Sequence, residues 1–444
     1  MRIVPNPVRL QYNQRSYLSS FPTESPMLQL AKYSFGVGDR FAHQASAQLR
    51  AFEQIRRDGV DVIPVWNKSN REHSFIGSEP ASVLKAAKKA VEQANWDLPW
   101  HIDADHIRLE TVDRFLDSSD FFTIDVADSI GKPPERNHLA TFLKNHSELF
   151  GTLHIPGIED PIRISGDGLE LIAEKYLAAA KEAGEIYRHI VHAKGAENII
   201  AEVSMDETDA PQTPQELLVI LAALSDEGVS LQTIAPKFTG RFNKGVDYEG
   251  NLVQFEKEFN DDLCILAHAS KVYGLPDNLK LSVHSGSDKF SIYPIIQRAL
   301  QKTGAGLHIK TAGTTWLEEL IGLAESGSDG VQCVHEIYAA ALDQIDALTG
   351  PYASVIDIHR DKLPSISTVA QWDSKRWANT LRHIPNHPEF NASVRQLLHV
   401  SFKLAAKRGD SYLDLLDKHR DIIAKNVYEN IYDRHMRPLF LRSN

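Results

Sequence analysis

The sequence predicts a (β/α)8 TIM-like barrel, and three observations carry that expectation. Short apolar runs recur along the chain, and many of them close on a charged or imidazole side chain before a polar loop: Glu202 ends Asn198-Ile-Ile-Ala-Glu202, His284 ends Lys280-Leu-Ser-Val-His284, and Lys310 ends Leu307-His-Ile-Lys310. Runs of this kind suit strands buried on both faces, the habit of a parallel sheet. Eight can be laid out in order, at 32–36, 60–65, 100–104, 121–126, 199–203, 231–235, 279–284 and 306–309, and eight is the number that closes such a barrel. Between them lie helical periodicities, and strands alternating with helices predict right-handed parallel crossovers.

Taken in order, helices are expected at 44–58, 79–94 and 111–118, where apolar residues recur at three- and four-residue spacing. The segment between the fourth and fifth strands is longer, and its Ala-, Glu- and Lys-rich stretch at 169–194 predicts a helical insertion near 130–196. After the last strand, helical patterns at 316–326 and 330–348 lead into a mostly helical tail, broken at Gly350-Pro351 and Pro385-Asn-His-Pro388. The expected organisation is a catalytic barrel over 1–340 and a helical extension over 341–444 packed on it, because 444 residues exceed what one core usually supports.

Composition narrows the function classes. With 48 basic and 59 acidic residues the net charge is −11, which argues against nucleic acid as a partner. Only Cys264 and Cys333 occur, in no paired or metal-knuckle pattern, so a reducing cytoplasm fits best. Met1-Arg-Ile-Val-Pro-Asn-Pro7 lacks the apolar core of a signal peptide, and no uninterrupted apolar run approaches membrane-spanning length. No GxGxxG, Walker A, GxSxG or HExxH pattern is present, which disfavours nicotinamide or ATP.

Side chains on a strand alternate sides, so His101, Asp103 and Asp105 share one face, as do Ser282 with His284 and His308 with Lys310. A carboxylate with two imidazoles is a common catalytic cradle for a divalent ion. Glu202, His284 and His308 end the fifth, seventh and eighth strands and are the expected metal ligands, with His101 or Asp103 able to replace His308. For each imidazole the plainer reading is a core histidine satisfied by a carbonyl, and Glu202 could simply pair with Lys237. The donor set suits zinc, manganese, nickel or cobalt. Asp125 and Asp103, at or within strand ends, are the candidate acid/base groups, because a buried carboxylate needs a partner or a proton. Asp105 and His106 carry the plainer reading of a helix amino terminus. Lys237-Phe-Thr-Gly-Arg241-Phe-Asn-Lys244 and Asn67-Lys68-Ser-Asn70 are candidate anion cradles, with Lys237 the catalytic cation and Lys68, Asn70, Arg241 and Lys310 the substrate-binding set.

These blocks, with Phe35-Gly-Val-Gly-Asp-Arg40, Trp100-His-Ile-Asp-Ala-Asp105, Ala201-Glu-Val-Ser204, Val283-His-Ser-Gly-Ser-Asp-Lys289 and Gly306-Leu-His-Ile-Lys-Thr-Ala-Gly313, resemble the tagaturonate/fructuronate epimerases of bacterial hexuronate catabolism, from about residue 30 to beyond 330. The resemblance implies a divalent-metal-dependent barrel enzyme, an isomerase that interconverts D-tagaturonate and D-fructuronate at C4, with Glu202 carried over as a metal ligand. In a 2-ketohexuronate the C4 hydrogen is not alpha to the carbonyl, so direct proton abstraction there would leave an unstabilised carbanion. Retro-aldol cleavage of C3–C4, with the cation stabilising an enediolate, and recombination after the aldehyde rotates is the favoured route over hydride transfer. The competing readings are a metal-dependent aldolase, an aldose–ketose isomerase on a related sugar, and a non-catalytic sugar-acid-binding barrel. The expected partner is a small sugar acid, and a homo-oligomer is left open.

Overall fold

The computed structural model describes residues 27–441 except 207, 209 and 312, so the amino-terminal reading lies outside the described residues. Among the described residues ten strands form: β1 Tyr33–Gly38, β2 Ile63–Ser69, β3 His101–Ile107, β4 Phe121–Asp125, β5 Gly151–Leu153, β6 Ile162–Ile164, β7 Ile200–Ser204, β8 Leu231–Ala235, β9 Lys280–His284 and β10 Leu307–Lys310. Eight of them close a barrel in the order β1-β10-β9-β8-β7-β4-β3-β2, every neighbouring pair parallel. This is the expected (β/α)8 architecture.

The strands are buried because both faces are covered: inward residues fill the barrel and outward ones meet helices. Helix Ala45–Arg57 turns Leu49, Phe52 and Ile55 onto the sheet. Helix Thr314–Glu325 is buried at every residue but its last, since it is trapped between the barrel and the carboxyl-terminal helices Ser374–Leu381 and Arg420–Glu429. Its buried carboxyls are met by side chains, Glu318 by Asn430 and Glu319 by Gln44 and Tyr412. Trp316 Nε1 donates to the Leu398 carbonyl at 2.8 Å, tying the two layers together.

Three local expectations are revised. The second strand begins at Ile63 and runs through Ser69, so Asn67, Lys68 and Ser69 are strand residues paired with Asp103, Ala104 and Asp105 rather than a loop. Ser69 then caps helix Asn70–Ile76 in a capping box with Glu72. The helix expected at 111–118 is only a 3-10 turn, Val112–Arg114. Here Thr111 Oγ1 accepts from Arg108 N at 3.0 Å, a local side-chain bond to the backbone of the kind that competes with helix formation. The insertion holds the long helix Gly166–Lys194, but also the antiparallel pair β5–β6. Among the described residues no helix is long and apolar enough to cross a membrane.

Candidate active site

The carboxyl-terminal mouth of the barrel opens into a cavity of 580 Å³. Its floor is an ion cluster built by strand alternation. Lys310, at the end of β10, reaches inward because Gly36 on the neighbouring strand leaves room: a Cβ there would lie 2.9 Å from Lys310 Cγ. Lys310 Nζ lies 2.7 Å from Asp103 Oδ2, 2.9 Å from Glu202 Oε1 and 3.1 Å from Asp105 Oδ1, and it also donates to Thr123 Oγ1. Thr123 Oγ1 in turn donates to Asp103 at 2.9 Å, and Thr233 Oγ1 to Glu202 Oε2 at 2.7 Å. Such charges are tolerable in the interior only when paired and hydrogen-bonded this completely. Burial, together with the neighbouring Asp105 and Glu202, outweighs Lys310 and pushes Asp103 up to about 7. For Lys310 the opposite holds: burial works against its charge, yet the three carboxylates raise its pKa.

Above this floor two imidazoles face each other, their ring centroids 5.1 Å apart. His284 donates from Nε2 to Glu202 Oε1 at 2.8 Å, which turns Nδ1 toward Asp206 Oδ1, 3.2 Å away. His106 is held through Nδ1 by Asp105 Oδ1 at 3.1 Å, which leaves Nε2 3.5 Å from the same Asp206 oxygen. Both outward-facing nitrogens, His284 Nδ1 and His106 Nε2, are buried without a hydrogen-bond partner. Among the described residues His106, Asp206 and His284 form the one group of three whose ligand atoms lie within 4.8 Å of each other. Two imidazoles and a carboxylate, each ring fixed from behind by another carboxylate, match the donor set and the outer support of a divalent-metal site. Burial resists charge on His284, but Asp206 and Glu202 hold it up to about 9; the field that draws a proton there also suits a cation.

His106 reaches this group through a distortion. It follows Asp105 directly, so regular alternation would send it outward. The β3–β4 register instead shifts between Ala104 and Ile107, and His106 sits at φ 51°, a left-handed conformation unusual for a side-chain-bearing residue. The bulge turns two successive ligand-type residues into the same cavity. Strain of this kind persists where surrounding contacts over-determine it.

The other residues singled out from sequence are placed as follows. Asp125, at the end of β4, lines the cavity; its Oδ2 accepts from Arg108 Nη2 and its Oδ1 from Ala127 N, both at 3.1 Å. Lys237 lines it too and donates to the Thr208 carbonyl, so it is not the partner of Glu202. Asn70 and the half-exposed Arg241 are at the rim, Asn70 accepting from Arg114 at 2.8 Å and Arg241 3.5 Å from Asp357. Lys68 is turned away, donating to the Arg40 carbonyl at 2.6 Å and Ser78 Oγ at 2.8 Å, and burial lowers it to about 8. His308 lies one layer deeper than Lys310, with Nδ1 2.8 Å from Ser34 Oγ, and burial lowers it to about 3. His101 pairs with Asp120 at 2.9 Å.

Residues that sequence reasoning passed over also line the cavity: Asp206, Arg40 and Arg108, and from the carboxyl-terminal helices Ser354, Val355 and His399. Asp206 stands two residues beyond β7 in Ser204-Met-Asp206, and Ser204 Oγ donates to it at 2.5 Å. Its signal was its distance from Glu202, which lies in the middle of β7 rather than at its end, four residues earlier. His399 gave no local signal.

A closed parallel barrel with a buried array of carboxylates, imidazoles and a lysine at its carboxyl-terminal mouth defines a (β/α)8 enzyme of the small-molecule-processing kind. The model of the tagaturonate epimerase family matches residues 8–439. A tagaturonate/fructuronate epimerase of Thermotoga maritima is 28% identical over 434 residues, spanning 94% of this chain and 82% of that protein. The fructuronate-tagaturonate epimerase of Cohnella laeviribosi shares the fold: its glycerol complex superposes with a TM-score of 0.77 at 23% identity, covering 93% of this chain and 82% of that one. Its native structure gives 0.74, at 94% and 84% coverage. This chain belongs to the tagaturonate epimerase family and is an isomerase-type enzyme.

Proposed function

We propose that this chain interconverts D-tagaturonate and D-fructuronate by inverting C4, with a divalent metal ion held by His106, Asp206 and His284. The observation that carries the reading is the convergence of His106 Nε2, His284 Nδ1 and Asp206 Oδ1 on one point of the cavity wall. Of the ligands expected from sequence, His284 keeps that role, Glu202 orients its ring from behind, and His308 serves the barrel interior. When bound, such an ion supplies Lewis-acid polarisation of a carbonyl oxygen.

The residues around it divide the remaining work. Asp125, anchored by Arg108, takes the proton of the C4 hydroxyl. The C3–C4 bond then breaks, its electron pair passing into the ketone-bearing fragment as an enediolate while C4 becomes an aldehyde. Lys237, which lines the cavity, offsets the developing oxyanion charge, while Lys310 balances the three carboxylates of the floor. After the aldehyde turns over, C3 attacks its other face and Asp125 returns the proton. Asp103 is the second acid/base candidate; it stands behind Lys310 and would act only through it. The hydride route is disfavoured because no nicotinamide fingerprint is present.

The test is to purify the protein with and without chelator, measure bound metal by elemental analysis, and follow D-tagaturonate by NMR. Conversion to D-fructuronate that is lost on metal removal and restored on readdition is expected. Turnover that survives complete metal removal would sink the metal role. Net release of the two three-carbon fragments would favour the aldolase, and an aldose product the isomerase. Failure to exchange added labelled aldehyde into the substrate would count against the aldol route.

A further inference from the structure

The cavity lining also includes groups of another character than the acidic cluster on its floor. Arg40 follows β1 and is only 7% exposed, yet it lines the cavity. Two of its surfaces are taken: Nε donates to Glu72 Oε1 at 3.0 Å, and the Phe402 ring lies 4.3 Å from Cζ. Its Nη1 is buried with no hydrogen-bond partner. A buried guanidinium with an unmet donor is costly unless a ligand meets it.

His399 adds a second unmet group from a distant part of the chain. It ends helix Ala392–His399, is 2% exposed, lines the same cavity, and neither ring nitrogen has a partner. Burial, together with Arg40, Lys244, Arg395 and Lys289 nearby, holds it well below the ordinary histidine range, so the ring is neutral and offers one N–H. Its seat is cut to fit: a Cβ on Gly313 would lie 1.9 Å from His399 Nε2. The other cations proposed for anion binding are otherwise engaged. Lys310 is surrounded by three carboxylates, Lys68 is held by a carbonyl and a hydroxyl, and Arg241 is half-exposed beside Asp357.

We propose that Arg40 and His399 receive the carboxylate of the sugar acid, and so select an oxidised substrate over the ketohexose that carries a hydroxymethyl group in its place. This rests on the ketouronate reading above. A guanidinium N–H and a neutral imidazole N–H together satisfy a carboxylate, whereas a hydroxymethyl group offers Arg40 Nη1 only a neutral acceptor in place of a charged one. The carboxyl-terminal helical layer thereby supplies a specificity-determining residue to a barrel site.

The experiment compares kcat/KM for D-tagaturonate and for D-tagatose, with the metal-loaded full-length enzyme and its Arg40→Gln, Arg40→Lys and His399→Gln variants. Arg40→Gln is expected to lose about tenfold to a hundredfold on the uronate, mostly in KM, with little change on the ketohexose, so that the ratio of the two collapses. Arg40→Lys should restore part of the ratio, and His399→Gln, which breaks no ion pair, should lower it about tenfold. Equal losses on both substrates, or an unchanged ratio in both the Arg40→Gln and His399→Gln variants, overturn the proposal and leave Arg40 a packing residue. If the unmodified enzyme turns over the ketohexose but not the ketouronate, the substrate reading itself fails and this inference falls with it.

Discussion

Two buried ion clusters stand side by side in this protein, and they are put to different uses. In the barrel mouth Asp103, Asp105 and Glu202 surround Lys310, and Asp105 and Glu202 also hold His106 and His284, which meet Asp206 at the cavity wall. Beside it Asp288, in the loop after β9, is fully buried and bonded to Arg395 Nη2 at 2.7 Å and His383 Nδ1 at 3.1 Å, with His435 Nε2 3.5 Å away. Arg395 also donates to the Gly245 carbonyl at 2.5 Å and to the Leu381 carbonyl. The first cluster leaves nitrogen atoms open toward a ligand; in the second the central carboxylate is enclosed by protein donors. Burial of charge therefore does not by itself mark an active site. What marks it is unmet donor or acceptor capacity at a cavity wall.

The comparison can be broken from either side. Asp206→Asn or His284→Ala should reduce bound metal to near zero and turnover at least about a thousandfold while the melting temperature changes little, as elemental analysis, NMR assay and calorimetry would show. Arg395→Met should act in reverse. It strands Asp288 without its main counter-charge, so about 3–5 kcal/mol of stability should be lost in urea denaturation. A drop in metal content without a loss of stability there would mean the two clusters are not separate in function.

Acid should report the sealed cluster. Burial lowers His435 from 6.5 to about 4, although Asp288 opposes that shift, so the folded state disfavours the proton that the unfolded chain accepts. The stability this contributes is present above about pH 6.5 and is lost as pH falls through about 4; its full size is about 3 kcal/mol. Urea midpoints measured across that window should fall for the unmodified protein and flatten for His435→Asn. The smallest expected effect is at Glu202→Gln, which keeps the shape behind His284 but removes the charge: metal affinity should weaken about tenfold to a hundredfold, read by chelator competition. An unchanged affinity would deny Glu202 its orienting role.

How much of this was legible follows from how local each signal is. The eight barrel strands were legible because their apolar runs and terminal polar residues lie within a few residues of each other. Asp103, Glu202, His284 and Lys310 were legible as a set because period-two alternation sends strand residues of one parity to one face. His106 carried the plainer reading of a helix amino terminus; it lies instead in β3, and only the bulge at φ 51° turns it into the cavity. Asp206 lies past the strand end, where no period applies. The expected helix at 111–118 shortens to a 3-10 turn at Val112–Arg114, where Thr111 bonds back to the Arg108 backbone instead of starting a longer helix.

By itself, then, the sequence determined the barrel, the order of its strands and the chemical types gathered at their carboxyl ends, because these depend on hydrophobic pattern and alternation within short windows. Only the tertiary structure decided which of those groups are consumed in pairing and which face a ligand. Lys310 meets Asp105 across 205 positions of chain, and Arg395 meets Asp288 across 107, contacts fixed by barrel closure and by the packing of the carboxyl-terminal helices. Partner choice in a buried cluster is set by which strands and layers the closed fold makes neighbours, and no short window of sequence encodes that distance.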